Sequence, residues 1–178
     1  FSKKDFAIVS RISKSKNIEE SIEGFLDSSA SESSSISIIG GPLTNEDKKY
    51  YEYLLNLYKD YKNISFIGPV PHSELANYLK NVSFHINNTD KGFYDKSVLE
   101  TSINGIINFY KNIDYDKNIP IEYQEALKFD GSSSDLSNKI SSVFTLNQNE
   151  FLKIIEHSQE EIKNESLDTL IDRIERVI

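Results

Sequence analysis

Residues 36–68 read ISIIGGPLTNEDKKYYEYLLNLYKDYKNISFIG, and the fold can be derived outward from this stretch. The apolar runs at 36–39 and 64–67 have the length and the β-branched composition of buried strands. Between them a long helix is predicted to begin at Asn45. Its apolar side chains recur at helical spacing on one face: Tyr51, Leu54, Leu55 and Tyr58. A strand, a helix and a second strand in this order predict a parallel βαβ unit.

The same alternation runs through most of the chain. Strands are predicted at residues 6–9, 36–39, 64–67, 82–86, 106–110 and 126–129, with helices between them and a Ser-rich surface loop at 28–35. This pattern predicts an α/β fold: a Rossmann-like, doubly wound parallel sheet of about six strands with helices on both faces. Helical spacing continues at Leu136, Ile140 and Val143, then at Phe151, Ile154 and Ile155, and finally at Leu167, Leu170, Ile171 and Ile174. We therefore expect one domain over residues 1–178, in which 147–178 form a helical tail.

The composition excludes several kinds of site. The chain has no cysteine, which rules out disulfides, thiolate nucleophiles and cysteine zinc sites. His72, His85 and His157 lie far apart without metal-ligand spacing, so ordinary core and surface roles are expected for them. A net charge of −8 disfavours a nucleic-acid partner.

The apolar runs are too short for a transmembrane helix. The first residues carry neither an initiator Met nor a signal peptide, and the chain is expected to be a piece of a longer protein.

Two cations follow the first predicted strand. Arg11 and Lys16 stand five positions apart in a short polar turn that enters a helix. Ligands of doubly wound sheets bind beyond the carboxyl ends of the strands, where these residues would lie. A planar guanidinium and a point-like ammonium suit a diphosphate, although a solvated basic loop would have the same sequence. The glycines Gly40, Gly41 and Gly68 end the next two strands and allow either a close ligand or an ordinary turn.

The segment after the fourth strand, residues 87–100, reads NNTDKGFYDKSVLE. Asp95 is a good helix N-cap, and the free amides of a helix that starts there would favour an anion. Lys96 would oppose the helix dipole unless such an anion is bound. Glu100 lies about one turn further on, where its carboxylate could accept hydrogen bonds from the two hydroxyls of a ribose. An ordinary solvated helix start is the alternative, and Gly105 would end the helix as a C-terminal cap.

The order of these features resembles the C-terminal domain of family 4 glycosyltransferases, which have the two-domain GT-B fold. The resemblance covers about residues 6–145 and rests on Arg-x4-Lys, the Gly-Gly pair, NISFIGPVP at 63–71 and GFYDKSVLE at 92–100. It implies that Arg11 and Lys16 are catalytic ligands of the donor diphosphate and that Glu100 holds the ribose. It also implies a set of further donor-binding positions: Gly40, Gly41, Gly68, Pro69, Val70, Gly92, Phe93, Asp95, Lys96, Ser97 and Val98.

The chain departs from this family at two places. Gly92 stands where the family's Glu-x7-Glu motif has its first glutamate, and the segment is closer to a variant with Asp-Lys-x-x-Leu-Glu. The usual Gly-x-Pro-Val after the helix is here Gly-Ile-Ile-Asn at 105–108.

The resemblance implies transfer of a sugar from a nucleotide-diphosphate-sugar donor to an acceptor. It further implies retention of anomeric configuration, no required metal and no cofactor besides the donor. The acceptor would bind an N-terminal domain of the full-length protein, so this chain alone is expected to bind the donor without turnover. We expect it in the cytoplasm or at the cytoplasmic face of a membrane, which only the missing half would contact.

Two alternatives stay open. A non-catalytic nucleotide-sugar-binding regulatory domain would explain the missing glutamate. An unrelated doubly wound domain, such as half of a dehydrogenase, would share the strand pattern. The absence of Gly-x-Gly-x-x-Gly after the first strand disfavours the second alternative.

Overall fold

The computed structural model describes residues 4–163, which form one parallel sheet covered by helices. The strands are β1 (Asp5–Val9), β2 (Ile36–Ile39), β3 (Ile64–Gly68), β4 (Val82–Asn87) and β5 (Ile107–Tyr110). The helices are α1 (Ile18–Leu26), α2 (Asn45–Leu57), α3 (His72–Leu79), α4 (Lys96–Ile103), α5 (Ile121–Leu127), α6 (Ser133–Phe144) and α7 (Gln148–Lys163). Short 3-10 helices cover Lys14–Lys16, Ser29–Glu32 and Ile113–Asn118.

The strand order is β3-β2-β1-β4-β5, and all neighbouring strands are parallel. The chain builds outward from β1 to β3 and then returns to place β4 on the other side of β1. The carboxyl ends of β1 and β4 therefore flank the point at which the winding reverses, where sheets of this type open a crevice. The predicted α/β, Rossmann-like fold is confirmed.

Each face of the sheet has its own apolar layer, because strands buried on both sides present apolar residues in both directions. On one face the ring of Phe6 lies 5.0 Å from that of Phe25 on α1 and 4.8 Å from that of Phe84 on β4. On the other face Leu75 and Leu79 of α3 pack in a separate cluster against the sheet. The helices are thus divided between the two faces, as the alternating pattern predicts.

Helix α2 begins where the sequence predicts, and its first turn explains why. The hydroxyl of Thr44 accepts from the Asp47 amide, and the Asp47 carboxylate accepts from the Thr44 amide, which makes a reciprocal capping box. The buried side chains of this region are Tyr50, Leu54 and Tyr58. The expectation for Leu55 is wrong, since it is 39% exposed.

The predicted sixth strand at 126–129 is also wrong. Pro120 precedes α5 and its residues 121–127 favour helix, so only Lys128 bridges to Tyr110 of β5. The Ser-rich loop contains the 3-10 helix Ser29–Glu32, of which Ala30 is the buried residue. Helices α6 and α7 confirm the first two sets of C-terminal apolar residues, and the third set, 167–174, lies outside the described residues.

Helix α4, which carries much of the predicted site, ends as expected. Gly105 has φ of 76° and its amide donates to the carbonyl of Ser102, while the Ile106 amide donates to that of Thr101. This pair of hydrogen bonds is a Schellman motif, in which the left-handed position favours glycine. Within residues 4–163, no helix is both long enough and apolar enough to cross a membrane.

Candidate functional site

A cleft of about 340 Å³ opens at the carboxyl edge of the sheet. It is lined by residues from four strand-to-helix junctions, which are the segments that follow β1, β2, β3 and β4. The lining includes six of the predicted site residues: Arg11, Gly40, Gly41, Pro69, Val70 and Glu100. His72 and Leu75 from the start of α3 complete one wall. The predicted first, second, third and fourth junctions therefore meet at one place, as a parallel sheet requires.

The glycines at this edge serve close packing of the loops. A Cβ atom on Gly40 would lie 1.8 Å from the carbonyl oxygen of Ser10, and Gly40 has φ of 140°. The Gly40 amide donates to the carbonyl of Gly68 at 2.9 Å, and the Ile12 amide donates to that of Gly41 at 3.0 Å. These contacts join the ends of β1, β2 and β3, so Gly40 is required by the fold whatever the ligand.

Arg11 is exposed on the wall of the cleft. Among the described residues, no carboxylate forms an ion pair with its guanidinium. It is therefore a free planar cation beside a concave surface, a suitable arrangement for an anionic ligand.

Lys16 is placed differently. Its Nζ atom lies 2.7 Å from both carboxylate oxygens of Asp95, and the side chains are 6% and 24% exposed. The ring of Phe93 lies 5.8 Å from the same Nζ atom. The first and fourth junctions thus touch through an ion pair, and Lys16 has a protein carboxylate as its partner.

Asp95 occupies the N-cap position of α4, but its side chain does not cap the helix. Its Oδ2 atom accepts instead from Nδ2 of Asn87 at 3.2 Å, beside Lys16. The Asp95 amide donates to the hydroxyl of Tyr115 at 2.6 Å. The predicted N-cap position of Asp95 is confirmed, but its side chain makes no capping bond, because the buried ammonium of Lys16 is a stronger partner for a carboxylate than a backbone amide.

The first turn of α4 carries the next predicted residues. Lys96 is exposed, and Ser97 is buried with an Oγ atom that has no hydrogen-bond partner within the described residues. The side chain of Val98 is wholly buried in the core, so only its backbone could face a ligand. Ahead of the helix, Gly92 and Phe93 are exposed, and the Gly92 amide donates to the Asp114 carboxylate at 2.8 Å.

Glu100 projects into the cleft from the second turn of α4. Its Oε1 atom lies 3.8 Å from Nδ1 of His72, which is 80% exposed on the opposite wall. The carboxylate is 30% exposed and is accessible to a ligand. The sequence alone does not identify His72 as a site residue, because a single histidine after Pro71 matches no known motif. Its position directly after the segment that follows β3 is the one sequence feature that points to the cleft.

Two further residues support the site without having been predicted. Asn87 ends β4 and could have been suspected as a polar residue at a strand end. Tyr115 comes from the 3-10 helix after β5, and no spacing rule connects it with Asp95. Within residues 4–163, no group of three His, Asp or Glu side chains is arranged to hold a metal ion.

No protein-family model and no curated protein sequence matches the chain. Solved structures do match. The catalytic domain of cholesterol-alpha-glucosyltransferase from Helicobacter pylori is 19% identical with a TM-score of 0.75, over 92% of this chain and 99% of that one. The C-terminal domain of a glycosyl transferase group 1 family protein (LpcC) from Francisella tularensis is 18% identical with a TM-score of 0.72, over 90% and 85%.

Anabaena Alr3699/HepE, solved in complex with UDP and glucose, is 14% identical with a TM-score of 0.80. The match covers 99% of this chain but 48% of that protein, so the chain spans about half of its length. At these identities the likeness concerns the fold, and the function has to be argued from the site. The chain has the fold of the C-terminal domain of GT-B glycosyltransferases.

Proposed function

We propose that this chain is the donor-binding domain of a glycosyltransferase of the family 4 type and that it binds a nucleotide-diphosphate sugar. The observation that carries the proposal is the cleft at the β1–β4 switch point, in which a free cation, Arg11, and an accessible carboxylate, Glu100, line the same cavity. A nucleoside diphosphate has complementary groups, since its ribose offers two hydroxyls and its phosphates carry the negative charge.

The lining of the cleft supports one orientation of the donor. Val70, Pro69 and Gly41 offer an apolar wall with accessible backbone, which suits a planar base. The ribose would then lie beside Glu100. The diphosphate would point along the sheet edge toward Arg11 and the start of α4, where Lys96 is exposed and the helix dipole favours an anion.

The same groups suggest how transfer would be assisted. Cleavage of the anomeric C–O bond leaves the bonding electron pair on the departing diphosphate. Arg11 and Lys16 would stabilise that charge as it develops. Only the part of the interaction that strengthens in the transition state accelerates the reaction. Retention of configuration and independence from metals follow from the family resemblance and are part of the proposal.

The acceptor would bind a second domain of the full-length protein. HepE, solved with UDP and glucose, is about twice as long as the matched region, which supports a two-domain arrangement. We accordingly infer a cytoplasmic protein that binds nucleotide sugar, with any membrane contact made through the other domain.

A second candidate is a regulatory domain that binds a nucleotide sugar without catalysis. It is favoured by Gly92, which replaces the first glutamate of the family motif and is exposed with no neighbouring atom within 4 Å of where a Cβ would be. Both candidates use the same cleft. Turnover of a nucleotide sugar by the full-length protein would separate them, because a regulatory domain would bind the donor without consuming it.

A thermal-shift panel of nucleoside diphosphates and nucleotide sugars, in the presence of a chelator, tests the proposal. A ligand at a hundredfold excess over its dissociation constant should stabilise the domain by about 2.7 kcal/mol. The matching nucleosides serve as controls for the phosphate contribution. Stabilisation that appears only with magnesium or manganese would contradict metal independence, and no stabilisation by any of these ligands would contradict the function itself.

A further inference from the structure

The ion pair between Lys16 and Asp95 joins the segments after β1 and β4, which flank the proposed donor site, although neither side chain lines the cleft itself. Lys16 comes from the loop after β1 and Asp95 from the start of α4, after β4. Lys16 is 6% exposed and both carboxylate oxygens lie 2.7 Å from its Nζ atom. A buried ammonium needs a partner, and in this structure the partner is a protein anion.

The carboxylate can leave this position without unfolding its surroundings. The backbone of Asp95 is held separately, because its amide donates to the Tyr115 hydroxyl at 2.6 Å. The side chain itself is tied to Lys16 and, at 3.2 Å, to Nδ2 of Asn87. The carboxylate is also 24% exposed, so a rotation of the side chain would move it into solvent.

The surrounding groups remain open to an anion. Asp95 does not cap α4 with its side chain, which leaves the positive end of this helix without that carboxylate. In the same turn Ser97 is 7% exposed, and its Oγ atom has no hydrogen-bond partner within the described residues. A buried hydroxyl without a partner is uncommon, and a phosphate oxygen bound at this turn would give Ser97 one.

We propose that the Asp95 carboxylate is the partner of Lys16 in the ligand-free protein, and that a donor phosphate replaces it as the partner of Lys16. This inference rests on the proposed function and adds a regulatory element to that site. A phosphate that approaches α4 must overcome the Asp95 charge before it gains Lys16. The pair therefore lowers affinity for phosphate ligands while it joins the loop after β1 to the start of α4 in the ligand-free protein.

The test compares Asp95→Asn with the unaltered protein by calorimetry, with UDP, GDP, inorganic pyrophosphate, uridine and guanosine as ligands. Removal of one nearby negative charge should tighten binding of the diphosphates and of pyrophosphate about tenfold. Nucleoside binding should not change. The melting temperature of the free variant should fall, because Lys16 loses its partner.

Two further variants make the result decisive. Asp60→Asn makes the same change of charge in the loop before β3, at the opposite edge of the sheet, and should leave all affinities unchanged. Asp95→Ser is also neutral and supplies a favourable N-cap, so it replaces Asp95→Asn should that variant fail to fold.

The outcomes separate this proposal from the proposed function. Unchanged, weaker or absent pyrophosphate binding in the neutral variants overturns the role of Asp95, even where the unaltered protein binds UDP or GDP well. Tighter pyrophosphate binding in the variants, with no preference of any variant for UDP or GDP over pyrophosphate, supports the role of Asp95 and contradicts the nucleotide function.

Discussion

The Nδ1 atom of His85 lies 2.7 Å from Oδ1 of Asn108, and neither side chain is exposed to solvent. The Val9 amide donates to Nε2 of the same ring, so the imidazole proton is on Nδ1 and is donated to Asn108. Oγ1 of Thr101 lies 2.7 Å from the same Asn108 oxygen. A neutral imidazole thus connects β1, β4, β5 and the helix that carries Glu100.

This arrangement predicts a pH dependence of stability. Burial lowers the pKa of His85 from 6.5 to about 4, although its bond to Asn108 and the nearby Asp95 charge oppose the shift. Between these two pKa values the unfolded chain binds a proton that the folded chain does not. The stabilisation of the folded state by the neutral His85 ring is therefore fully present above pH 6.5 and is lost as the pH falls toward 4. Urea unfolding at several pH values measures this effect. Between pH 6.5 and 4, His85 should lower the free energy of unfolding by up to about 1.4 kcal/mol for each unit by which the pH falls.

His85→Gln isolates the contribution, since glutamine does not titrate. The variant should be less stable at pH 7, and its stability should fall less steeply between pH 6.5 and 4 than that of the unaltered protein. His157→Gln makes the same substitution at a half-exposed ring on α7 and is the control for the change of side chain itself. Parallel slopes for the His85 variant and the unaltered protein would mean that the buried ring does not control this dependence.

Much of the fold could be predicted from the sequence, because periodicity and glycine positions are local signals. The five strands of the sheet and α2 and α4 lie within a residue or two of the predicted positions. The parallel-sheet rule also predicts that the first and fourth junctions meet, and the contact between Lys16 and Asp95 confirms it.

The errors arise where tertiary contacts override local patterns. Residues 126–129 are apolar enough for a strand, but the preceding residues form a helix after Pro120, so little chain remains to pair with β5. Asp95 has the sequence of an N-cap, yet Lys16 lies within its reach only in the folded chain. Asn108 looks like a departure from a family motif, and only the structure shows that it accepts the proton of His85.

Gly40→Ala should be among the most destabilising single changes at the sheet edge. The new Cβ atom would lie 1.8 Å from the Ser10 carbonyl oxygen, in a residue with φ of 140°. Backbone atoms would have to move, so a loss of several kcal/mol, on the order of 4 or more, or failure to fold is expected. Thermal or urea unfolding measures the effect.

Gly92→Ala is the matched control for this change. Gly92 also has a positive φ, 89°, but no atom lies within 4 Å of the position of a Cβ. Backbone strain alone should cost about 1–2 kcal/mol. Equal losses for the two variants would show that the contact with Ser10 is not the cause.

Glu100→Ala should weaken binding of UDP or GDP by about 1–3 kcal/mol, the range for removing one hydrogen-bonding partner while the other stays in place. The free protein should remain folded, because this carboxylate is 30% exposed and faces the cleft rather than the core. Calorimetry with the diphosphate measures the loss. Binding of the 2′-deoxy nucleotide should be affected less, since it offers one ribose hydroxyl fewer.

Glu52→Gln provides the control for charge, since Glu52 is exposed on α2 and does not line the cleft. Its affinities should match those of the unaltered protein. Unchanged UDP and GDP binding by Glu100→Ala would remove the ribose role of this residue.

Arg11→Ala should weaken the diphosphates far more than the corresponding nucleosides, because Arg11 is the exposed cation on the cleft wall. Arg11→Lys should restore only part of the affinity, since an ammonium cannot make the two parallel bonds of a guanidinium.

Lys96→Ala should also weaken binding of the diphosphates. The free protein should become more stable by a few tenths of a kcal/mol, because a cation in the first turn of α4 opposes the helix dipole. Paired titrations with UDP and uridine, and with GDP and guanosine, together with unfolding curves of the free variants, measure each effect. Equal losses for nucleoside and diphosphate would show that these cations shape the loops and do not bind the phosphates.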